Sequence, residues 1–203
     1  MAELLAIGGG QNDSAWDELY REYLENRTLI LNNEIDESVI EDYVMYILKW
    51  NKDDMHLPVE SRTPIKFLIS SPGGNVFDAN ILIDVIESSK TPVVGVGLDL
   101  VASAAYLIYL ACHTRVSFKN TSYLQHEGML SIENSRSKVK DNVEFFDQQE
   151  LRAKEYVLSK TNMTEEFYDN VYNQELWMYA DKAKEFGIVD KIIGVDCDLD
   201  EIL

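Results

Sequence analysis

Three short segments of the chain contain residue types that are able to do chemistry. In Ser71–Gly74, two glycines lie between an apolar strand-like run and a helix, so a ligand can approach main-chain N–H groups that a helix start leaves unpaired. This turn is a candidate oxyanion-binding edge. Ser103 lies near the first turn of a helix of small residues, where its hydroxyl can face a cleft and the N–H of Ala104 points the same way. His126 ends a strand, and sites gather at strand ends in α/β sheets.

Each segment alone also fits a purely structural role: a strand-to-helix turn, a serine packed between helices, or a core histidine. The chain has three histidines, so any histidine that acts as a general base is His56, His113 or His126. The sequence contains no GxxxxGK[ST] loop, no HExxH pair and no Cys/His cluster. We therefore expect neither ATP hydrolysis nor zinc chemistry, and we expect no cofactor and no metal.

Composition narrows the class of protein. The 203 residues are 46% hydrophobic and 27% charged, typical of a folded globular chain. Lys and Arg number 18 against 36 Asp and Glu, a net charge of −18 with no basic run, which argues against nucleic-acid and anionic-membrane partners. Two cysteines, Cys112 and Cys197, are too few for a disulfide framework. With no signal-like or membrane-spanning apolar stretch, we expect a cytoplasmic protein.

The chemical segments lie in an alternation of strand and helix patterns. Short apolar runs typical of buried strands recur through the first half of the chain, and amphipathic helical patterns separate them. Two further strand patterns follow. These five predicted strands are Thr28–Leu31, Ile65–Ile69, Pro92–Val96, Arg115–Phe118 and Tyr123–Gln125. This alternation predicts an α/β fold with a largely parallel sheet.

Three regions differ from this pattern. Residues 1–15 contain Gly8–Gly10 and polar neighbours, which predicts a mobile N-terminal arm ahead of a single domain at 16–194. Residues 195–203 form an acidic C-terminal tail. A long, highly charged helical pattern at about 135–160 exceeds what a domain core needs. It either projects and packs on a copy of itself or is a solvated surface helix.

Taken together, the motifs resemble the Clp protease proteolytic subunit family. They occur in the family's order over about Tyr20 to Ile193, and the Ala-Ser-Ala-Ala run is also similar to ClpP-like peptidases of phage head maturation. The motifs are Ser71-Pro-Gly-Gly74, Ala102-Ser103-Ala104, His126 and Ala183-x-Glu185-Phe-Gly-Ile-Val-Asp190. The resemblance implies a Clp/crotonase-type α/β fold of repeated β-β-α units, with residues 135–160 as a projecting handle helix. It also implies heptameric rings, stacked as a tetradecamer around a chamber in which peptide bonds are hydrolysed.

The same resemblance implies roles for individual residues. Ser103 falls on the family's nucleophile and His126 on its general base, and the oxyanion donors are the N–H groups of Gly74 and Ala104. The position of the family's aspartate is occupied by Glu175, and Asp169 is the nearby alternative for the third member of the triad.

Several residues near the site depart from the family's pattern. They are Ala105 in place of a glycine, Glu127-Gly128 in place of Gln-Pro, and Asp99-Leu100 in place of Gly-Gln. These departures bear on catalytic efficiency more than on fold.

The leading hypothesis is therefore a ring-forming serine endopeptidase that acts on peptides or unfolded proteins. Because the chain has no nucleotide site, energy-dependent degradation would need a separate AAA+ ATPase unfoldase. One alternative is a non-catalytic ring subunit or scaffold with a degraded triad, which the Glu175 and Glu127-Gly128 departures favour. The other is a crotonase-type acyl-CoA enzyme, which shares the fold and an N–H oxyanion pair but does not need Ser103 and His126.

Overall fold

The fold is built on a mostly parallel sheet. In the computed structural model, which describes residues 14–202, the described residues form a seven-stranded sheet. Strands β1, β2, β3, β4 and β7 pair in that order and in parallel, β5 adds in parallel to β3, and β6 pairs antiparallel with β5. The strands are β1 (Thr28–Leu31), β2 (Ile65–Ser71), β3 (Val93–Ala102), β4 (Thr114–Ser117), β5 (Ser122–Gln125), β6 (Leu176–Tyr179) and β7 (Lys191–Ile192). The predicted α/β class is confirmed.

Strand β3 changes partner along its length. Its first half, Val94–Gly97, pairs with β4, whereas its last residues, Leu100–Ala102, pair with β5. A register shift against β2 between Ile69 and Ser71 accompanies this change. Strand β3 therefore continues past the predicted end at Val96, and its last residues before Ser103 lie between β2 and β5.

Helices pack on the sheet and connect its parallel strands. Residues 1–13 of the predicted arm at 1–15 lie outside the described residues. Ser14 is the N-cap of the first helix, and its hydroxyl accepts the Asp17 N–H at 3.2 Å. The helices are α1 (Ala15–Glu25), α2 (Met45–Asp53), α3 (Val76–Ser88), α4 (Ala104–Ala111), α5 (Arg136–Lys160), α6 (Glu165–Val171) and α7 (Ala180–Glu185). The long helix expected at about 135–160 is α5.

Helix α4 is the most deeply buried helix near the predicted site. Nearly all of its residues are apolar and buried, as expected for a helix enclosed on all sides. Its tyrosine Tyr109 donates to the carbonyl of Val116 at 2.9 Å, and Tyr123 of β5 donates to Ser117 Oγ at 2.8 Å. Because these buried hydroxyls are paired, they fix α4 and β5 against the sheet. The N-terminus of α4 is consequently a rigid support for Ser103.

Both cysteines are buried free thiols. Burial raises the pKa of Cys112 to about 12, so this thiol stays protonated and packs as a small apolar side chain. In the described part of the chain, no helix has the length and apolarity needed to cross a membrane.

A partly buried ion pair joins Arg27, just before β1, to Asp54, just after α2. Arg27 donates to both carboxylate oxygens of Asp54, at 2.5 and 2.7 Å, and Thr91 Oγ donates to the same carboxylate at 2.9 Å. The Asp54 side chain is only 3% exposed. The hydrogen bonds from Arg27, assisted by Thr91, hold the pKa of Asp54 below its ordinary value.

This pair leads to a stability prediction. The Asp54→Asn variant should lose about 3 kcal/mol of unfolding free energy near neutral pH, because it leaves Arg27 without its charge partner. The lowered pKa means that the contribution of Asp54 is present above the unfolded-state pKa and is lost as the pH falls through the folded-state pKa. Urea denaturation should therefore show the difference between the two proteins shrinking from about pH 7 toward about pH 2. Asp53→Asn is the control, since Asp53 makes an exposed pair with Lys49. Equal losses in both variants would contradict the prediction.

Candidate active site

The Ser71–Gly74 turn lies directly against the start of α4. Strands β2 and β3 are parallel, and Ser71 pairs with Val101, so both strands end at the same edge of the sheet. Gly73 has φ +96°, and a Cβ atom built on it would lie 2.7 Å from Ser103 Cβ and 2.9 Å from the Ala104 nitrogen. Only glycine permits this approach. The structure thus brings together two segments that are far apart in the sequence.

The N–H of Gly74, a predicted oxyanion donor, is not used in the bridge that Gly74 forms with Ile35. Gly74 forms a parallel bridge with Ile35, in which the Ile35 N–H donates to the Gly73 carbonyl and the Asn75 N–H donates to the Ile35 carbonyl, each at 2.8 Å. In a trans peptide the carbonyl of one residue and the N–H of the next point in opposite directions. Because the Gly73 carbonyl points toward Ile35, the Gly74 N–H points away from it and stays available for a ligand.

Ser103 occupies a strained strand-to-helix turn. It has φ +54° and ψ −125°, immediately after β3 and at the N-cap of α4. A non-glycine residue in this region costs about 1–3 kcal/mol and persists only where the surroundings hold it. Here the Ser103 N–H donates to the Leu124 carbonyl at 2.9 Å, which fixes the turn to β5. The next N–H, that of Ala104, is one of the groups that the helix leaves without an internal partner.

His126 follows β5 at the same edge of the sheet as Ser103. Ala102 pairs with Leu124, so β3 and β5 run side by side up to these two residues. The His126 side chain is half-buried. Among the described hydrogen bonds, none joins the Ser103 hydroxyl to His126. The two residues thus follow neighbouring paired strands, and a hydrogen bond between the hydroxyl and the imidazole remains to form.

The candidate acid Glu175 lies next to β6, a strand that the sequence analysis missed. Strand β6 pairs antiparallel with β5, and Gln125 is opposite Leu176. The ladder ends at this pair; extended by one residue, its register would place His126 opposite Glu175, and side chains at opposite positions share a face. The Glu175 carboxylate accepts a hydrogen bond from Trp177 Nε1 at 2.9 Å. Trp177 is therefore a donor that competes with the imidazole.

Asp169, the alternative acid, is bound elsewhere. Its carboxylate lies 2.6 Å from Lys154 Nζ of α5, and Lys154 also contacts Glu165 at 2.9 Å. An acid held by an ammonium group on another helix is poorly placed to orient an imidazole. The structure therefore favours Glu175 over Asp169 as the partner of His126.

Two polar residues near the site gave no signal in the sequence. Glu150 of α5 accepts the Gly128 N–H at 3.3 Å and the Tyr172 hydroxyl at 2.9 Å. Burial, followed by the hydrogen bond to Glu150, raises the pKa of Tyr172, so its hydroxyl remains a donor. These partners are distant in sequence from Glu150 in both directions, and no local pattern connects them. The strand β6 did have a signal, because Leu-Trp-Met-Tyr is rich in residues that favour strands.

The arrangement has the parts that acyl transfer requires. The residues Ser103, His126 and Glu175 flank three neighbouring strands, β3, β5 and β6, and the glycine turn lies against Ser103 and Ala104. Main-chain N–H groups at such a position can stabilise the negative charge that develops on a carbonyl oxygen under attack.

Comparisons with known proteins agree with this geometry. The family model described as Clp protease matches residues 10–196. Among relatives named ATP-dependent Clp protease proteolytic subunit 2, the protein of Pseudomonas aeruginosa PAO1 is 30% identical over 194 residues, covering 91% of this chain and 90% of the relative. That of Treponema pallidum strain Nichols is 26% identical over 192 residues, covering 93% and 92%. The solved structure of a ClpP1 mutant from Listeria monocytogenes superposes with a TM-score of 0.76 at 26% identity, covering 91% of this chain and 99% of that one.

Proposed function

The chain belongs to the Clp protease family, and on that premise we propose that it is a serine endopeptidase that cleaves peptides or unfolded proteins. The observation that carries the proposal is the strained turn at Ser103, held with its side chain beside the glycine turn and one strand away from His126. Strain of this kind is retained where a reactive side chain must be presented.

In the proposed mechanism, the Ser103 hydroxyl attacks the carbonyl carbon of the scissile peptide bond. His126 accepts the hydroxyl proton and then donates it to the leaving amine, while Glu175 holds the imidazole in the required tautomer. The N–H groups of Gly74 and Ala104 bind the oxyanion, each contributing about 3 kcal/mol of barrier reduction. Water then hydrolyses the acyl-enzyme by the same route, so no metal or cofactor takes part.

We propose that the working form is a heptameric ring, stacked as a tetradecamer through the handle helix α5. Large apolar side chains on the surface of the single chain support an association with further copies: Ile40, Met45 and Leu48 around the start of α2 are 45%, 57% and 51% exposed. The exposed rings of Phe77 in α3 and Phe145 in α5 stack on each other, with centroids 6.2 Å apart. Because relatives are named ATP-dependent, we further propose an AAA+ ATPase unfoldase as partner and the cytoplasm as location.

The division of the chain into an arm at 1–15, a single domain at 16–194 and an acidic tail at 195–203 stays a prediction.

A fluorophosphonate probe tests the proposed activity, because it reacts rapidly with a serine that an adjacent base activates. We expect the intact assembled protein to be labelled, with the adduct located on Ser103 by peptide mass spectrometry. Light scattering on the same sample should give a mass many times the 23.3 kDa of one chain.

A second function is favoured by one observation, the bond from Trp177 to Glu175. If it persists in the assembly, the triad stays incomplete and the protein is a non-catalytic ring subunit. An assembled but unlabelled protein would establish this alternative and refute the peptidase. A stable unlabelled monomer would refute both.

A further inference from the structure

We propose that Glu150 is a positioning residue, which holds the segments carrying His126 and Glu175 against the handle helix α5 through its carboxylate. The inference rests on the proposed function, because its catalytic consequence requires that these residues act as base and acid.

One oxygen of Glu150 contacts both segments. Glu150 Oε2 accepts the Gly128 N–H at 3.3 Å and the Tyr172 hydroxyl at 2.9 Å. Gly128 is two residues after His126, and Tyr172 is three residues before Glu175. The side chains of Glu150 and Tyr172 are both half-buried, where a carboxylate bond is less screened by solvent than on an open surface. A single side chain therefore ties the two segments to each other as well as to α5.

The packing around Gly128 is fitted to this contact. A Cβ atom on Gly128 would lie 2.6 Å from Glu150 Oε1 and 3.0 Å from Phe146 Cζ. Phe146 and Glu150 are four residues apart in α5 and so face the same side. Gly128 stands where the family pattern has proline, which has no N–H to donate. The departure at this position thus supplies the donor and the space that the Glu150 contact needs.

A neighbouring charged side chain of α5, Lys154, does not connect the two segments. Lys154, one turn further along the same face of α5, contacts Glu165 and Asp169 at 2.9 and 2.6 Å. It anchors helix α6, but both of its partners are exposed and neither lies in the segment after His126. Of these two side chains of α5, only Glu150 reaches both segments.

The test compares Glu150→Ala and Glu150→Gln with wild type. We expect Glu150→Ala to slow both fluorophosphonate labelling and kcat by about tenfold with KM within about twofold, because displaced catalytic groups lower the rate more than substrate binding. Glu150→Gln keeps an oxygen that accepts both bonds and should recover most of the loss. Tyr172→Phe removes one bond and should have an intermediate effect. Glu155→Gln is the matched control, since Glu155 is exposed on another face of α5.

A second readout needs no activity. Hydrogen exchange in peptides covering residues 126–130 and 172–176 should be faster in Glu150→Ala than in wild type or Glu155→Gln. Unchanged exchange, or labelling as fast as wild type, would overturn the positioning role. If wild type is not labelled, but Glu150→Ala still exchanges faster than wild type, the peptidase activity is refuted and the contacts of Glu150 with the two segments are supported. The two failures are therefore distinguishable.

Discussion

The Ser103→Ala variant should hydrolyse peptides about 10⁴-fold more slowly than wild type, or slower still, while its fold and assembly stay intact. Alanine removes the oxygen that would form the acyl-enzyme. It keeps the Cβ of residue 103, which lies so close to Gly73 that a Cβ atom added to that glycine would be 2.7 Å away. The remaining rate comes from the two N–H donors and from substrate binding. Steady-state hydrolysis of a fluorogenic peptide, with light scattering to verify assembly, measures the effect.

Ser159→Ala is the matched control for this experiment. Ser159 is exposed on α5 and its hydroxyl donates to the carbonyl of Tyr156, as in many surface serines. It should keep wild-type activity within about twofold. Equal hydrolysis by Ser103→Ala and wild type would refute Ser103 as the nucleophile, whatever the state of the assembly.

The second large effect is expected at Glu175. Glu175→Gln should lower kcat by about 10³ to 10⁴-fold, because an amide does not stabilise the imidazolium and can hold the imidazole in the wrong tautomer. Asp169→Asn should stay within a few-fold of wild type, because Asp169 is bound by Lys154 on α5. Measurement of kcat and KM for both variants, at matched assembly, distinguishes the two candidates.

Trp177→Phe completes the comparison. It removes the indole N–H that donates to Glu175 and should leave kcat unchanged or raise it, since the carboxylate then has one fewer competing donor. A large loss in Asp169→Asn with none in Glu175→Gln would assign the third role to Asp169 and contradict the register argument.

The strand and helix alternation was readable from the sequence because each element carries its own hydrophobic pattern. The class of the fold and the long helix α5 followed from that pattern. The length of β3 did not follow, since Asp99 interrupts the apolar run and the last three residues are held in the strand by pairing with β5. Strand β6 has residues that favour strands, but it is only four residues long and, within residues 14–202, pairs with β5 alone, so its pattern was too short to predict it.

The candidate site was predictable only where a residue type carries its own chemistry. Ser103, His126 and the glycine turn have such types, and their placement along one edge follows from parallel strands ending together. The positive φ of Ser103 depends on the surrounding bonds and left no mark in the sequence. The contacts of Glu150 join residues distant along the chain, so only three-dimensional packing reveals them.

On the proposed mechanism, the partner change along β3 places the reacting groups on two parts of the sheet. Ser103 and the two proposed oxyanion donors follow β2 and β3, in the main body of the sheet. The residues His126 and Glu175 flank the β5–β6 pair, which is joined to β3 by the pairing of Leu100, Val101 and Ala102. Tyr123 of β5 also donates to Ser117 Oγ of β4, and the Leu124 carbonyl accepts the Ser103 N–H, so this pair of strands is bonded to the body at more than one place. On the proposed mechanism, the separation between the base and the nucleophile is therefore set by how β5 packs on β3 and β4.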